Sequence, residues 1–319
     1  MIRFFIIAVI LFTTICSNAQ QYPWWSQYST NQTLLNPGFC GTKRLVDVRI
    51  NYRNQWTGFE GSPKTYVLSL NSRLWKGRLG VGGFLFKDDI GPFRNFNTSL
   101  TFAYHLKFAD SELSFGIQGN YMSQSFIGTD VTLRNQQDMA VNQYITDKVS
   151  NFDGSFGIVY FNDRFHIGVA ANNIASSKFE HYKIDPLKNG KYTNAPHYNL
   201  SAGYNWAENI DYTFQNSILA VYVPGVPFSF DYTLLLHIKK QIMAGVSFRV
   251  NDAIALHLGC TIKENFQISY SYDIVTSPLR TYQKGSHEIK LVFSSNLGTD
   301  KKKRGFNGRF LKQRFQYLL

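Results

Sequence analysis

A two-residue period recurs along this chain from end to end, and it limits the possible folds more than any other feature. From Phe228 onward, Phe228, Phe230, Tyr232, Leu234 and Leu236 share one side, while Ser229, Asp231, Thr233 and His237 share the other, with Leu235 the one apolar exception. From Phe266, the residues Phe266, Ile268, Tyr270, Tyr272 and Ile274 stand opposite Gln267, Ser269, Ser271 and Asp273. Near the start, Val46, Val48, Ile50 and Tyr52 oppose Asp47, Arg49, Asn51 and Arg53. A strand turns successive side chains to opposite faces, so each run reads as a strand with one apolar and one polar face. Such runs fall at approximately 45–53, 63–74, 78–87, 95–107, 111–123, 152–161, 164–171, 197–206, 212–222, 226–238, 241–250, 253–262, 265–274 and 286–296. The ninth is the least regular, because Ile218 to Val223 is apolar on both faces.

About fourteen antiparallel strands, an even number, suit a transmembrane β-barrel with apolar residues toward lipid and polar ones toward the lumen. The connections sort in the same way. Short turns follow every even-numbered run, around Lys76-Gly77, Ala109-Asp110, Asn162-Asp163, Ala207-Glu208, Lys239-Lys240 and Glu264-Asn265. Most long connections, notably 124–151, 172–196 and 275–285, follow odd-numbered runs. Membrane barrels keep short turns in the periplasm and long loops outside, which predicts long extracellular loops and periplasmic termini. Composition agrees: aromatics make up 16% and charged residues only 17%, yet no run of about twenty apolar residues could form a membrane helix. A soluble β-sandwich is the alternative reading. The polar faces carry Asp47, Arg49, Arg53, His105, Asp231, His237, His257, Asp273, Glu288 and Lys290, a mixture of signs that predicts a hydrated or plugged lumen.

The two ends differ from the wall. Arg3, the apolar stretch from Phe4 to Thr13, and small Ser17 and Ala19 read as an export signal over residues 1–19, cleaved before Gln20. Residues 20–44 then form an N-terminal periplasmic or luminal segment, 45–296 the outer-membrane barrel, and 297–319 a basic periplasmic tail. That tail holds Lys301, Lys302, Lys303, Arg304, Arg309, Lys312 and Arg314 against a single Asp, half of the chain's net charge of +12. The basic balance is therefore local, and it does not mark a nucleic-acid-binding domain. Aromatics interleaved in the tail (Phe306, Phe310, Phe315, Tyr317) suit a docking strip for protein, lipid headgroup or peptidoglycan; a solvated basic end is the plainer reading. Beyond the signal, Cys40 and Cys260 are too few for a disulfide framework, and two free thiols are expected.

Catalytic constellations are absent from the sequence. The seven histidines never pair at metal-ligand spacing, and His-x-x-x-His, Cys-x-x-Cys and Gly-x-Ser-x-Gly do not occur. Ser286 and His287 are neighbours on a strand and so point to opposite faces. No catalytic residue, metal site or cofactor is expected. Gly80-Val81-Gly82-Gly83 lies inside a strand with no helix following, as packing or close-approach glycines would, and unlike a phosphate cradle.

Several blocks nevertheless look unlike plain wall. They are Ser26-Gln27-Tyr28, Asn36-Pro37-Gly38 with Gly41, the stretch from Tyr52 to Thr65 (YRNQWTGFEGSPKT), Asp89-Ile90-Gly91-Pro92, Leu113 to Gly116, and Asp163 to Gly168. Together they resemble the PorP/SprF family of outer-membrane proteins of the Bacteroidota type IX secretion system: its SQY…NP…G opening, its YRxQWxGFxGxPKT block, its DxIGP turn and its later strand patterns. The resemblance runs from about residue 22 to 296 and leaves out the basic tail. It implies a non-enzymatic component of the secretion and gliding machinery. Such a protein would bind a secreted adhesin through that adhesin's C-terminal domain and contact a ring lipoprotein and associated periplasmic proteins. Partner-binding residues implied by the family blocks are Asn36, Pro37, Arg53, Gln55, Trp56, Gly58, Phe59, Pro63, Lys64, Asp89, Gly91 and Pro92. The competing reading is an outer-membrane channel or transporter for small molecules.

Overall fold

The computed structural model describes residues 24–43, 46–74, 77–131, 145–181, 190–207, 211–262 and 265–295. The expected export signal and the basic tail with Lys301 to Arg314 lie outside the described residues. The strands are β1 (Val46–Asn54), β2 (Lys64–Leu74), β3 (Leu79–Ile90), β4 (Phe93–Lys107), β5 (Glu112–Ile127), β6 (Thr146–Phe161), β7 (Phe165–Asn172) and β8 (Lys178–His181). They continue with β9 (Gly190–Thr193), β10 (His197–Ala207), β11 (Tyr212–Tyr222), β12 (Ser229–Ile238), β13 (Ile242–Arg249), β14 (Ala253–Ile262), β15 (Phe266–Val275) and β16 (Ser286–Ser295).

Fourteen of these close into an antiparallel barrel. Every wall strand pairs with its neighbours in sequence, except that β7 pairs with β10 because β8 and β9 form a separate hairpin. Closure runs from Val46 opposite Ser295 to Asn54 opposite His287. The fourteen runs read from the sequence are the fourteen wall strands. The one addition is the β8–β9 hairpin, which stands inside the connection expected at 172–196.

Alternation along each strand sets the two faces. Leu68, Leu70, Leu85, Leu100, Ile117, Val169, Leu200, Leu258 and Ile289 are exposed on the outside. Asp47, Arg49, Arg53, His105, Asp231, His257, Asp273, Glu288 and Lys290 are buried inside. Aromatic pairs ring the wall at both ends. Tyr52–Tyr66 (4.9 Å between centroids), Tyr121–Phe152 (5.2 Å) and Tyr198–Tyr222 (6.2 Å) stand toward one end, and Tyr160–Phe165 (5.8 Å) and Trp206–Phe214 (5.9 Å) toward the other. An apolar belt between two aromatic girdles is the surface that a lipid bilayer selects.

Connections after β2, β4, β6, β10, β12 and β14 gather at one end and are short throughout. Those after β1, β3, β5, β7, β11, β13 and β15 gather at the other and include all the long ones: 55–63, 128–145, 173–196, 223–228 and 276–285.

The interior holds the chain's own N-terminal segment. Residues 24–43 run through the barrel as short 3-10 turns, at Tyr28–Thr30, Gln32–Leu34 and Pro37–Phe39. This segment explains the irregular ninth run. Leu219, Val221 and Val223 of β11 and its following loop face inward, where they pack with Trp25, Tyr28, Phe84 and Phe86 into a buried apolar cluster. A wall strand that must cover aromatic rings inside and lipid outside has to be apolar on both faces.

Candidate functional site

The residues implied by the family blocks divide into two groups once folded. Asn36, Pro37, Arg53, Gln55 and Pro63 are buried. Trp56, Gly58, Phe59, Lys64, Asp89, Gly91 and Pro92 stand on the rim where the long loops gather.

Asn36 and Pro37 seat the N-terminal segment against the wall. The Asn36 side chain accepts from the Gly38 N–H (2.8 Å) and donates to the carbonyls of Val169 (3.1 Å) and Ile158 (3.3 Å). The wall makes room for this contact with glycine. A Cβ on Gly157 would lie 2.0 Å from Asn36 Oδ1, one on Gly116 2.2 Å from the Pro37 carbonyl carbon, and one on Gly80 2.1 Å from the Cys40 oxygen. Gly80 and Gly82 are thus close-approach glycines, as their place inside a strand implies. Gly41 itself takes φ +76° against the Gly80 Cα, a conformation that favours glycine.

Arg53 is the hub of a buried ionic cluster. Its guanidinium meets Asp273 at 2.7 Å and Glu288 at 3.3 Å and donates to Ser26 Oγ at 2.9 Å. Ser26 Oγ also donates to Asp273 (2.7 Å), and the Ser26 N–H donates to Glu288 (2.9 Å). Arg249 pairs with Asp231 (3.2 Å) and Asp252 (2.8 Å) and lies 5.1 Å from the centroid of the Trp24 ring. Further along, Arg49 bonds Asp47 and the Thr30 carbonyl, and Lys290 bonds the Thr30 hydroxyl. The charges of this cluster therefore hold residues 24–31 in place. Buried charges are tolerated only when paired and hydrogen-bonded, and here the paired groups are tied to the segment that fills the lumen.

The rim group is built by three connections knitted through backbone bonds. The Gln55 N–H donates to the Pro63 carbonyl (3.0 Å), which closes the 55–63 loop on itself. The Thr57 N–H donates to the Gly285 carbonyl (2.8 Å), the Lys284 N–H to the Thr57 carbonyl (2.7 Å), and the Gly91 N–H to the Gly61 carbonyl (2.9 Å). Trp56 at φ 53°, Gly58 at 88° and Gly61 at 72° supply the left-handed residues that the tight path requires. Arg94 ties Asp89 (3.5 Å) to Asp130 (2.5 Å) across the neighbouring turn. The result is a cleft of about 470 Å³ walled by Thr57 to Ser62, Lys64, Asp89, Gly91 and Arg94, with Phe59 52% exposed at its edge. A second, deeper cavity of about 410 Å³ opens between Trp24, Trp25 and the loops after β7, β11 and β13.

Several members of this arrangement escape sequence inspection. Asp273, Glu288 and Arg249 are more than 190 residues from Arg53 or Ser26, and only the closed barrel brings them together. Lys284 and Gly285 join the rim from the last long connection without any motif to mark them. Of the thiols, Cys40 is buried against the Thr101 carbonyl and Cys260 is exposed, and both are free. No group of three or more potential metal ligands occurs among the described residues.

Comparison with known proteins adds identity to this geometry. Among solved structures, the chain is similar to the TodX deltaS2S3 mutant monoaromatic hydrocarbon channel, at TM-score 0.50 and 11% identity over 83% of this chain and 94% of that one. It is also similar to a Pseudomonas aeruginosa FadL homologue, at TM-score 0.47 and 12% identity over 86% and 95% of the two chains. At 11% identity, the likeness to the first of these speaks for the barrel fold alone. No curated protein matches the sequence significantly. The family described as "Type IX secretion system membrane protein PorP/SprF" matches residues 17–293. A match of that extent, over a closed membrane barrel, makes the chain a member of the PorP/SprF family of type IX secretion system membrane proteins.

Proposed function

We propose that this protein is a non-enzymatic outer-membrane component of the type IX secretion and gliding machinery. It binds a secreted adhesin through that adhesin's C-terminal domain at the long-loop rim and helps export or anchor it at the surface. In this reading the signal over residues 1–19 directs export, the long-loop end faces outward and both termini face the periplasm. The basic tail, Lys301 to Arg314, contacts ring lipoprotein and associated periplasmic proteins.

The observation that carries the reading is the division of the family-block residues. Buried Asn36, Pro37 and Arg53 lock the lumen with the chain's own segment, buried Gln55 and Pro63 close the rim loop, and the exposed ones form a mixed-charge rim around an uncovered phenylalanine. A plug held by buried ion pairs suits handover of a protein at the surface better than free diffusion of solutes. An exposed aromatic on a backbone-fixed loop suits a binding anchor.

A mild-detergent pull-down of the tagged protein from its native membrane tests this directly, compared with a Phe59→Ala, Lys64→Glu variant. The wild type retains a large secreted protein with a C-terminal sorting domain, and the variant retains about thirtyfold less, as loss of an interface anchor would give. Equal recovery with both chains removes the rim from the proposal. A wild-type barrel that recovers no partner and conducts ions freely in planar bilayers points to the channel reading.

A further inference from the structure

The alternation that turns charge inward breaks at one place on the wall. Among the described residues, the outward faces of the fourteen wall strands carry Lys64, Lys87, Asp89, Arg94 and Lys148 and no other Lys, Arg, Asp or Glu. Lys107, the last residue of β4, stands opposite luminal Glu112. All of these outward charges lie on β2, β3, β4 and β6, toward the long-loop end. At that end β10 to β15 present Tyr198, Tyr222, Phe230, Phe248, Ile254 and Ile274 outward instead. Charge on the lipid face costs little near an interface, so tolerance alone would scatter it round the barrel. Exposed ion pairs add little stability either. A one-sided cluster needs another cause.

The strand register sets these side chains in two rows. Tyr52, Tyr66, Lys87 and Phe96 stand opposite one another on β1 to β4. Two residues nearer the loops come Asn54, Lys64, Asp89 and Arg94. Lys87 therefore lies within the aromatic girdle, its Nζ 5.8 Å from the centroid of the Tyr66 ring, which itself packs on Tyr52. Asp89 holds Lys87 at 2.9 Å and Arg94 at 3.5 Å. An ammonium has three donors, so Lys87, whose side chain is 56% exposed, has donors to spare beyond Asp89. Lys64 is exposed and pairs with no described residue. It lies diagonally across from Lys87, about 7–8 Å away along the wall, within reach of two flexible stems. On this face three cations, Lys64, Lys87 and Arg94, meet the single carboxylate of Asp89; Arg94 is held further by Asp130 in the turn after β5. Beneath them Leu68, Leu85 and Leu100 stand exposed on the same strands.

Cations that open sideways at the girdle, over an apolar ledge, match a ligand with an anionic head and hydrocarbon tails. An acidic protein would approach from the aqueous side, where the rim loops stand, and would leave the leucine ledge unused. We propose that the outward face of β2–β4 binds an anionic membrane lipid through its phosphate. Lys64 and Lys87 donate to the phosphate oxygens, Asp89 holds Lys87 and Arg94 in position, and the acyl chains run over Leu68, Leu85 and Leu100. The inference goes beyond the export reading and does not rest on it, since it concerns the lipid side of the wall.

Lys64 also borders the rim cleft, whereas Lys87 does not, so the test is built on Lys87. The full-length protein in maltoside detergent is titrated with dioleoyl phosphatidic acid or dioleoyl phosphatidylcholine and read by native mass spectrometry. One phosphatidic acid binds per barrel in preference to phosphatidylcholine. Lys87→Gln weakens that binding about tenfold, and Lys87→Arg restores most of it. Lys148→Gln, four residues from Phe152 of the girdle, leaves it unchanged. The proposal is overturned if the two lipids bind alike, or if Lys148→Gln weakens binding as much as Lys87→Gln, the mark of diffuse attraction to the rim. Displacement of the lipid by an equal concentration of inorganic phosphate overturns it too, because the ligand is then a free anion. So does a Lys87→Gln chain that keeps phosphatidic acid but loses the secreted partner in the pull-down, because the cluster then belongs to a protein interface. Lipid binding is read on the purified chain, so its failure leaves the export reading standing, and a pull-down that recovers no secreted partner leaves the lipid site standing.

Discussion

Arg53 illustrates how a residue in a family block can act without facing a partner. It is 1% exposed and bridges two carboxylates from different strands, and Ser26 of the plug sits in the same cluster. Its removal would take away the cation shared by Asp273 and Glu288 and leave two buried carboxylates side by side, with only Arg249, 3.8 Å from Asp273, still paired to them. Arg53→Ala is expected to cost about 3–5 kcal/mol, seen as a loss of heat-resistant, fast-migrating barrel on unheated gels. Glycine gives a cleaner comparison. Gly157→Ala would force Asn36 out of its seat and cost about 1–3 kcal/mol, whereas Gly119→Ala, with nothing within 4 Å of the added carbon, should leave melting unchanged. Equal melting of the two alanine variants would mean that Asn36 has room to shift. The thiols make a third contrast. Cys40 is fully buried against the Thr101 carbonyl, so an apolar maleimide should label exposed Cys260 in the folded protein and reach Cys40 only after denaturation.

At the scale of elements, the two-residue period was enough to place every wall strand, because burial between lipid and lumen imposes alternation on each of them independently. Where alternation failed, the cause was an extra partner. β11 is apolar inside as well as outside because Trp25 and Tyr28 cover it. The 55–63 loop shows the opposite limit. Its glycines and aromatics are visible in the sequence, but its rigidity comes from Gly285 and Gly91, which belong to other hairpins. Gly285→Pro would delete no bond from that loop's own residues, yet it should distort the Thr57–Gly285 pairing. The expected result is faster proteolysis within 55–63 with the barrel intact, measured by limited digestion and mass spectrometry.

For the whole molecule, the decisive feature is that the lumen is filled by residues 24–43, whose polar groups are matched to inward-facing wall residues. Amides such as that of Gly41, bonded to Asn71 Oδ1 at 2.6 Å, should therefore exchange with solvent as slowly as those of wall strands. Fast exchange across 24–43 in the detergent-solubilised protein would show that the segment leaves the barrel readily, and steady conductance in planar bilayers would accompany it.

The sequence by itself determined the number of wall strands, their faces and the alternation of short and long connections. These follow from local constraints: backbone geometry fixes the period of two, and lipid on one side fixes which residues face out. It also carried enough family-block residues to indicate the PorP/SprF family. Only the tertiary structure decided which of those residues are buried and which stand on the rim. It alone decided that Ser26, Arg53, Asp273 and Glu288 form one cluster. Those arrangements depend on closing β16 onto β1 and threading the N-terminal segment through the result. Contacts between residues more than 200 positions apart leave no local period for a sequence to display.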